Sequence, residues 1–378
     1  MTDAPLFLGS EIYRGSSYGA WHPLRVPRVS TVMDLARALG WLPRDRFRPS
    51  PRARPKALTA WHTAAYVDAL IRAEAEQAVD PAIRARHGLG SVSNPIFPEM
   101  FRRPATGAGG AILAGELLRD GGAVHLPGGG THHGLPDRAS GFCYLNDPVL
   151  AILSLKAHGC RRVAYVDIDA HHADGVEHGF ADDPDVLLIS IHEAKRWPFT
   201  GALADRGEGQ VFNLPLPRGC GDAAYALARD RVVLPALDRF APDALVLQCG
   251  ADAIEEDPLS RLACSNRMHL DMLRALRHAA PRLLVLGGGG YNPWSVGRCW
   301  TLLWGALSGR TLPDRLPPEA EAVLQGLTWR GASRGRTPPA HWFTTLLDPP
   351  RDGAVPPEAE EAIAHLAGRI ASMPGAAA

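Results

Sequence analysis

Short apolar runs recur along the chain at Ala123–Leu126, Arg162–Val166, Val186–Ile191, Ala244–Gln248 and Arg282–Leu286. Each has the length of a buried strand, and their Val, Leu and Ile content suits a sheet covered on both faces. Between them lie longer stretches with helical apolar spacing. Pro148–His158 is one, with Val149, Leu150, Ile152, Leu153 and Leu155 at its apolar positions; Asp222–Phe240 and Met268–Ala279 are others. Strands alternating with helices predict an α/β fold: a single domain with a mostly parallel central sheet flanked by helices on both faces. Residues 1–60, rich in Pro, Arg and Trp, read as loops with one helix around Val32–Leu39. Gly88–Pro98 reads as a Pro/Gly-rich loop of the kind that lines pockets. Prolines recur from about Leu312, and Pro356–Ser372 has helical spacing. The expected division is a main domain over 1–312 and a Pro-rich C-terminal extension over 313–378. The extension carries one helix and is not a separate domain.

Composition narrows the function classes. The chain has 378 residues, 46% hydrophobic and 21% charged, as in ordinary globular proteins. Forty basic residues balance forty acidic ones, which gives no electrostatic case for nucleic acid or membrane as main partner. Arg44, Arg46, Arg48, Arg52 and Arg54 form a local basic run that reads as a solvated loop. The cysteines show no paired short spacing, hence no zinc knuckle or disulfide ladder. The N-terminal residues lack a secretory pattern, and no apolar run approaches the ~18 residues of a membrane span. A cytoplasmic, reducing setting is expected.

Ligands of open α/β sheets gather beyond the carboxyl ends of the strands, and polar chemistry follows every predicted strand here. His132 and His133 follow the first on a glycine-rich loop; His192 and Glu193 follow the third. Cys249-Gly-Ala-Asp252 follows the fourth, and Gly287–Gly290 with Tyr291 the fifth. The second discharges into Asp167-Ile-Asp169-Ala-His171-His172-Ala-Asp174. Charges so near a core are costly unless paired or metal-bound. Asp169 and His171, two apart, point the same way in an extended chain. With Asp252 they make three protein ligands and an open position, the pattern of a catalytic metal site. Spacing does not name the metal, since Zn, Fe(II) and Mn all accept N/O ligands. Adjacent histidines suit general acid and base work, with Asp167 and Asp174 spare to orient them. The four glycines make a poor phosphate cradle and read as a flexible turn presenting the Tyr291 hydroxyl to a developing oxyanion.

Gly128–His133, Ser140-Gly-Phe-Cys-Tyr-Leu-Asn-Asp147, Asp167–Glu177, Leu247–Asp252 with Asp257-Pro258, and Gly287–Tyr291 together resemble the zinc-dependent histone deacetylase family. The resemblance covers roughly residues 20–310 and is closest to the class I and acetoin-utilisation-type members. It implies the arginase–deacetylase fold and one Zn²⁺ on Asp169, His171 and Asp252. It implies His133 as general base, His132 as its electrostatic partner, and Asp167 and Asp174 as their respective hydrogen-bond acceptors. Tyr291 would polarise the acyl carbonyl. The Gly141 carbonyl would take the substrate N–H, Phe142 and Leu259 would wall a tunnel, and Arg28 would sit at an inner acetate pocket. A structural K⁺ or Na⁺ would lie near Asp167 and Ser190. The substrate would be an acyl-lysine protein or a small acyl-amine.

Departures bear on the substrate. Glu193–Gly201 replaces the usual loop after His192, and Trp197 or Phe199 supplies the opposite tunnel wall. Asn94 stands where histone-type members carry a rim aspartate, and Thr131 where class I members often have Trp, which suggests a roomier inner pocket. Two alternatives stay open. One is an arginase-like amidinohydrolase with two manganese ions, drawing on Asp174 and Asp257; the other is a non-catalytic acyl-amine binding protein. Oligomeric state is not legible.

Overall fold

The computed structural model describes residues 4–204, 210–329, 338–351 and 353–373. Eight strands form one sheet in the order β2-β1-β3-β8-β7-β4-β5-β6, and every neighbouring pair is parallel. They are β1 Leu6–Gly9, β2 Phe47–Pro49, β3 Gly122–Leu126, β4 Val163–Asp167, β5 Val186–Glu193, β6 Val211–Leu216, β7 Ala244–Gln248 and β8 Arg282–Leu286. Strands β4, β5 and β7 are buried at every residue, as their unbroken apolar runs require when helices cover both faces.

The predicted strands coincide with β3, β4, β5, β7 and β8, while β1, β2 and β6 escape the apolar-run criterion. Strand β1 has four residues and β2 three, and the basic run read as loop contains β2 with Arg48 exposed. Strand β6 is broken as a pattern by Asn213 and Pro215. Proline is tolerated there because β6 is a sheet edge that needs no further donor. The predicted helices appear as Val29–Ala38, Asp147–Ala157, Asn266–Leu276 and Pro357–Ala371. Asp222–Phe240 is helical throughout, with a π-type turn at Arg229–Val233. No helix among the described residues is long and apolar enough to cross a membrane.

The described part of the C-terminal extension is docked. Trp342 stacks on Trp294 at 5.5 Å, and Arg298 forms a 2.7 Å ion pair with Asp348, both side chains buried. The helix Pro357–Ala371 lies beside β6, where Arg369 covers the Phe212 ring at 4.9 Å.

Candidate active site

The carboxyl ends of β3, β8, β7 and β4 are neighbours in the sheet, so the loops that leave them meet. Asp169 and His171 follow β4 directly, and Asp252 sits in a short helical turn, Ala251–Ala253, after β7. All three are buried, and one ligand atom from each lies within 4.8 Å of the other two. His171 Nδ1 is 3.1 Å from Asp169 Oδ1 and 3.0 Å from Asp252 Oδ2. The backbone fixes both carboxylates: Ala170 N–H donates to Asp252 and Gly289 N–H to Asp169. A Cβ on Gly289 would stand 2.0 Å from Asp252 Oδ2, so only glycine lets this loop close over the acids.

Electrostatically the cluster asks for a cation. Burial and the facing Asp169 push the Asp252 carboxyl up. Burial opposes charge on His171, yet the two acids raise it to about 10. One ring nitrogen carries at most one proton and cannot satisfy two carboxylates, whereas a divalent ion bound by all three would balance both charges. The donor set, two carboxylate oxygens and one imidazole with a side left open, fits a catalytic divalent metal. Among the described residues this is the one such cluster. Asp174 and Asp257, the acids a second ion would need, are engaged otherwise, by His133 and by backbone N–H groups.

Beside the cluster stand the paired histidines, ring centroids 3.9 Å apart. His132 Nδ1 donates to Asp167 at 2.8 Å, and His133 Nδ1 donates to Asp174 at 2.6 Å. Asn146 holds their loop through the carbonyls of His132 and Gly134 while capping the helix Asp147–Ala157. Burial works against charge on His132, but Asp167 and Asp169 raise it to about 9. Burial and then the His132 charge lower His133 to about 4. The pair therefore separates into one charged and one neutral imidazole.

Tyr291 leaves β8 through the glycine turn and is pinned on both sides. Its N–H donates to Asp257 at 2.6 Å, and the next residue, Asn292, caps the helix Pro293–Leu307. Among the described residues its hydroxyl has no hydrogen-bond partner, and the ring lines both cavities described next.

A tunnel of about 240 Å³ leads from this centre to the surface. Phe142, Trp197 and Leu259 wall it, with Gly141 at its side. Trp197 packs edge-on to His133 at 4.6 Å and lines the tunnel, whereas Phe199 is 74% exposed and is not among the tunnel's lining residues. The wall is thus Trp197. Gly141 has φ +51°, and a Cβ there would stand 2.2 Å from the Trp197 ring. Phe142 holds φ +69°, a strained conformation that aims its ring at Tyr291, centroids 5.8 Å apart.

Below the centre lies a cavity of only about 30 Å³, bordered by Leu24, Arg28, Thr131 and Cys143. Thr131 borders this cavity, and its hydroxyl reaches the Leu145 carbonyl and Asp147. Arg28 reaches the Gly288 carbonyl at 2.7 Å, and among the described residues its buried Nε has no partner. Asp167 and Ser190 face each other in register across β4 and β5. Asn94 is buried in its loop and borders a separate cavity beside the tunnel mouth, not the tunnel itself.

Asp257 was legible as a motif residue and as a candidate acid for a second ion, but not in the role it plays here. Its carboxylate accepts the N–H groups of both Leu259 and Tyr291, so it fastens one tunnel wall to the tyrosine. Burial and Asp252 push its carboxyl well above the usual range. The Gly289 N–H and Glu193, buried beneath Arg196 at the rim, had no sequence signal beyond their place after strands.

The histone deacetylase domain model matches residues 22–307. The acetoin utilization protein AcuC of Bacillus subtilis is 33% identical over 330 residues, covering 83% of this chain and 84% of that protein. Histone deacetylase 1 of Oryza sativa subsp. japonica is 37% identical over 311 residues, and the match spans 59% of its length. The crystal structure of an HDAC homolog from Aquifex aeolicus superposes with a TM-score of 0.91 at 32% identity, covering 97% of this chain and all of that one. An HDAC homolog complexed with SAHA superposes with a TM-score of 0.90 at 31% identity, over the same shares. Sequence, fold and site agree: the chain belongs to the histone deacetylase family of hydrolases and has the arginase–deacetylase fold.

Proposed function

We propose that the protein is a zinc-dependent deacetylase that hydrolyses the amide of an acyl-lysine or small acyl-amine. The observation that carries it is the convergence, at the base of one narrow tunnel, of three metal donors, a divided histidine pair and an unpartnered tyrosine hydroxyl. Asp169, His171 and Asp252 would hold the zinc ion. Bound there, it supplies Lewis acidity that activates water at neutral pH and polarises the acyl carbonyl.

The chain's own groups do the rest. Phe142, Leu259 and Trp197 hold an extended alkyl chain and exclude water, while the Gly141 carbonyl accepts the substrate N–H. His133, neutral and oriented by Asp174, takes a proton from the attacking water on its free Nε2. It returns that proton to the nitrogen of the departing amine. His132, held charged by Asp167, stabilises negative charge beside it. Tyr291 donates its hydroxyl hydrogen bond to the carbonyl oxygen as charge develops there. Arg28 would meet the released carboxylate in the inner cavity, whose volume favours acetyl over longer acyl groups. Asn94 would serve at the rim. A structural K⁺ or Na⁺ is proposed near Asp167 and Ser190, the parallel-strand pair that brings a buried carboxylate beside a hydroxyl.

The test is a panel of acetyl-lysine peptides, acetylpolyamines and longer acyl-lysines, with and without a hydroxamate chelator. Hydroxamate-sensitive turnover, fastest for acetyl, is expected. A zinc-loaded protein inert to the whole panel would overturn the proposal.

A further inference from the structure

Beside the tunnel mouth lies a second cavity of about 480 Å³, bordered by Arg84, Arg138, Ser91, Ser93 and Asn94. It shares Ser93, Gly141 and Trp197 with the tunnel, so Trp197 forms the partition between the two. Among the described residues no carboxylate lines it. Arg138 is fixed in place: its Nη1 donates to the carbonyls of Ala85 and Arg86 at 2.9 and 3.0 Å, at the end of the helix Pro81–His87. Its stem crosses Gly88, where a Cβ would meet Cγ at 3.4 Å. Those contacts use one nitrogen and leave the rest of the guanidinium for a ligand. Among the described residues neither Arg84 nor Arg138 has an acidic partner.

Asn94 gives an independent sign. It is 3% exposed, and among the described residues its carboxamide oxygen has no hydrogen-bond partner. Its backbone is held on both sides, by Ser91 Oγ at 3.0 Å and by the Gly90 N–H at 2.8 Å. A buried acceptor held so firmly, bordering a cavity, is set to receive a donor.

We propose that this cavity is the substrate's anion site. It takes a carboxylate carried by the acyl-amine at the end remote from the acyl group, held by Arg138 and Arg84, with a neighbouring N–H given to Asn94. The proposal rests on the deacetylase reading of the tunnel and names its substrate class: acyl-amines that carry an acid, not cationic acylpolyamines or acyl-lysines in basic segments. The carboxylate comes either from the acyl-lysine's own α-carboxyl or from an adjacent Asp or Glu side chain.

Two arms separate those sources. One compares Nα,Nε-diacetyl-lysine with its α-carboxamide. The other compares amidated peptides with Asp or Asn after the acetyl-lysine. In either arm the acid is expected to raise kcat/KM about tenfold, mainly through KM, and the gain should shrink as salt is raised. In an R84Q/R138Q variant the acid-to-neutral ratio should fall to about one, while R138K should keep part of it. Calorimetry with Nα-acetyl-lysine and its carboxamide reads the same preference without turnover. A gain in the first arm assigns the α-carboxylate, and a gain in the second the acidic side chain. Equal kcat/KM for acid and neutral forms in both arms, or a ratio that survives R84Q/R138Q, overturns the anion site. Selective binding of the carboxylate with no turnover of any substrate would keep the anion site and overturn the deacetylase reading; neither binding nor turnover would overturn both.

Discussion

His133 gives its Nδ1 proton to Asp174 at 2.6 Å, whereas its neighbour His132 turns to Asp167 on the opposite side. Two imidazoles whose centroids are 3.9 Å apart cannot both carry charge at modest cost, and separate carboxylates decide which does. Burial and the His132 charge keep His133 neutral, the state a base must start from. His133→Ala is therefore expected to lower kcat by about 10²- to 10⁴-fold. Tyr291→Phe should fall in a similar range, since the missing hydroxyl is an oxyanion donor. Zinc content and the unfolding midpoint should change little in both. Steady-state kinetics with metal analysis checks this, and near-full turnover in either variant would remove that residue from the mechanism.

Asp169 and Asp252 face one imidazole nitrogen, a geometry stable only with positive charge at its centre. Zinc bound to the native state alone adds about 2.7 kcal/mol at a hundredfold excess over Kd. Chelation is thus expected to lower Tm by several degrees, with recovery on adding zinc back. Asp252→Asn should weaken zinc retention by at least tenfold. A Tm indifferent to chelator and zinc would show that the cluster holds no stabilising metal.

The site was legible from sequence because its residues stand directly after strands. Buried parallel strands cannot hide an Asp or His, so Asp167, Asp169, His171, Asp252 and Tyr291 stood out against their apolar runs. What sequence did not show depends on contacts between distant loops. Asp257 joins Leu259 to Tyr291 through backbone N–H groups, which leave no side-chain pattern. The Thr131 hydroxyl at the inner cavity is held by Asp147 and the Leu145 carbonyl, contacts composition does not encode. The edge strands β2 and β6, and the short β1 beside β2, were missed because short or proline-bearing strands draw their order from neighbours rather than from their own periodicity.

Arg298 and Asp348 are both buried, and the pair ties the C-terminal extension to the helix Pro293–Leu307. Asp348 also accepts the Asn266 N–H and donates its own N–H back to the Asn266 side chain. Asp348→Ala would leave the guanidinium buried without its counter-ion, at a cost of about 3–5 kcal/mol. Ending the chain after residue 312 would remove this anchor and the Trp342 stack together, so the shortened protein should be less stable still. Denaturant unfolding of the two variants checks this. A truncated protein as stable as the full chain would mean that residues 313–378 contribute nothing to the main domain.

His62 links acid stability to the catalytic loop. Its Nε2 accepts the Asn146 N–H at 3.0 Å while Nδ1 donates to the Leu135 carbonyl at 3.1 Å. Asn146 in turn holds the His132 carbonyl. Protonation would set an N–H against an N–H and break this chain. Burial lowers His62 to about 4 in the folded state, against about 6.5 when unfolded. A depressed folded value means that the unfolded chain binds the extra proton first. The contribution is therefore complete above about pH 6.5 and is lost progressively as pH falls towards 4, on the order of 3 kcal/mol in all. His125 and His192, also buried and lowered, act in the same direction, so the wild type alone does not isolate His62. His62→Gln should be less stable than wild type at pH 7.5, with a shallower fall in stability between pH 6.5 and 4.5. Parallel pH–stability slopes for the two proteins would mean that His62 does not titrate in that window.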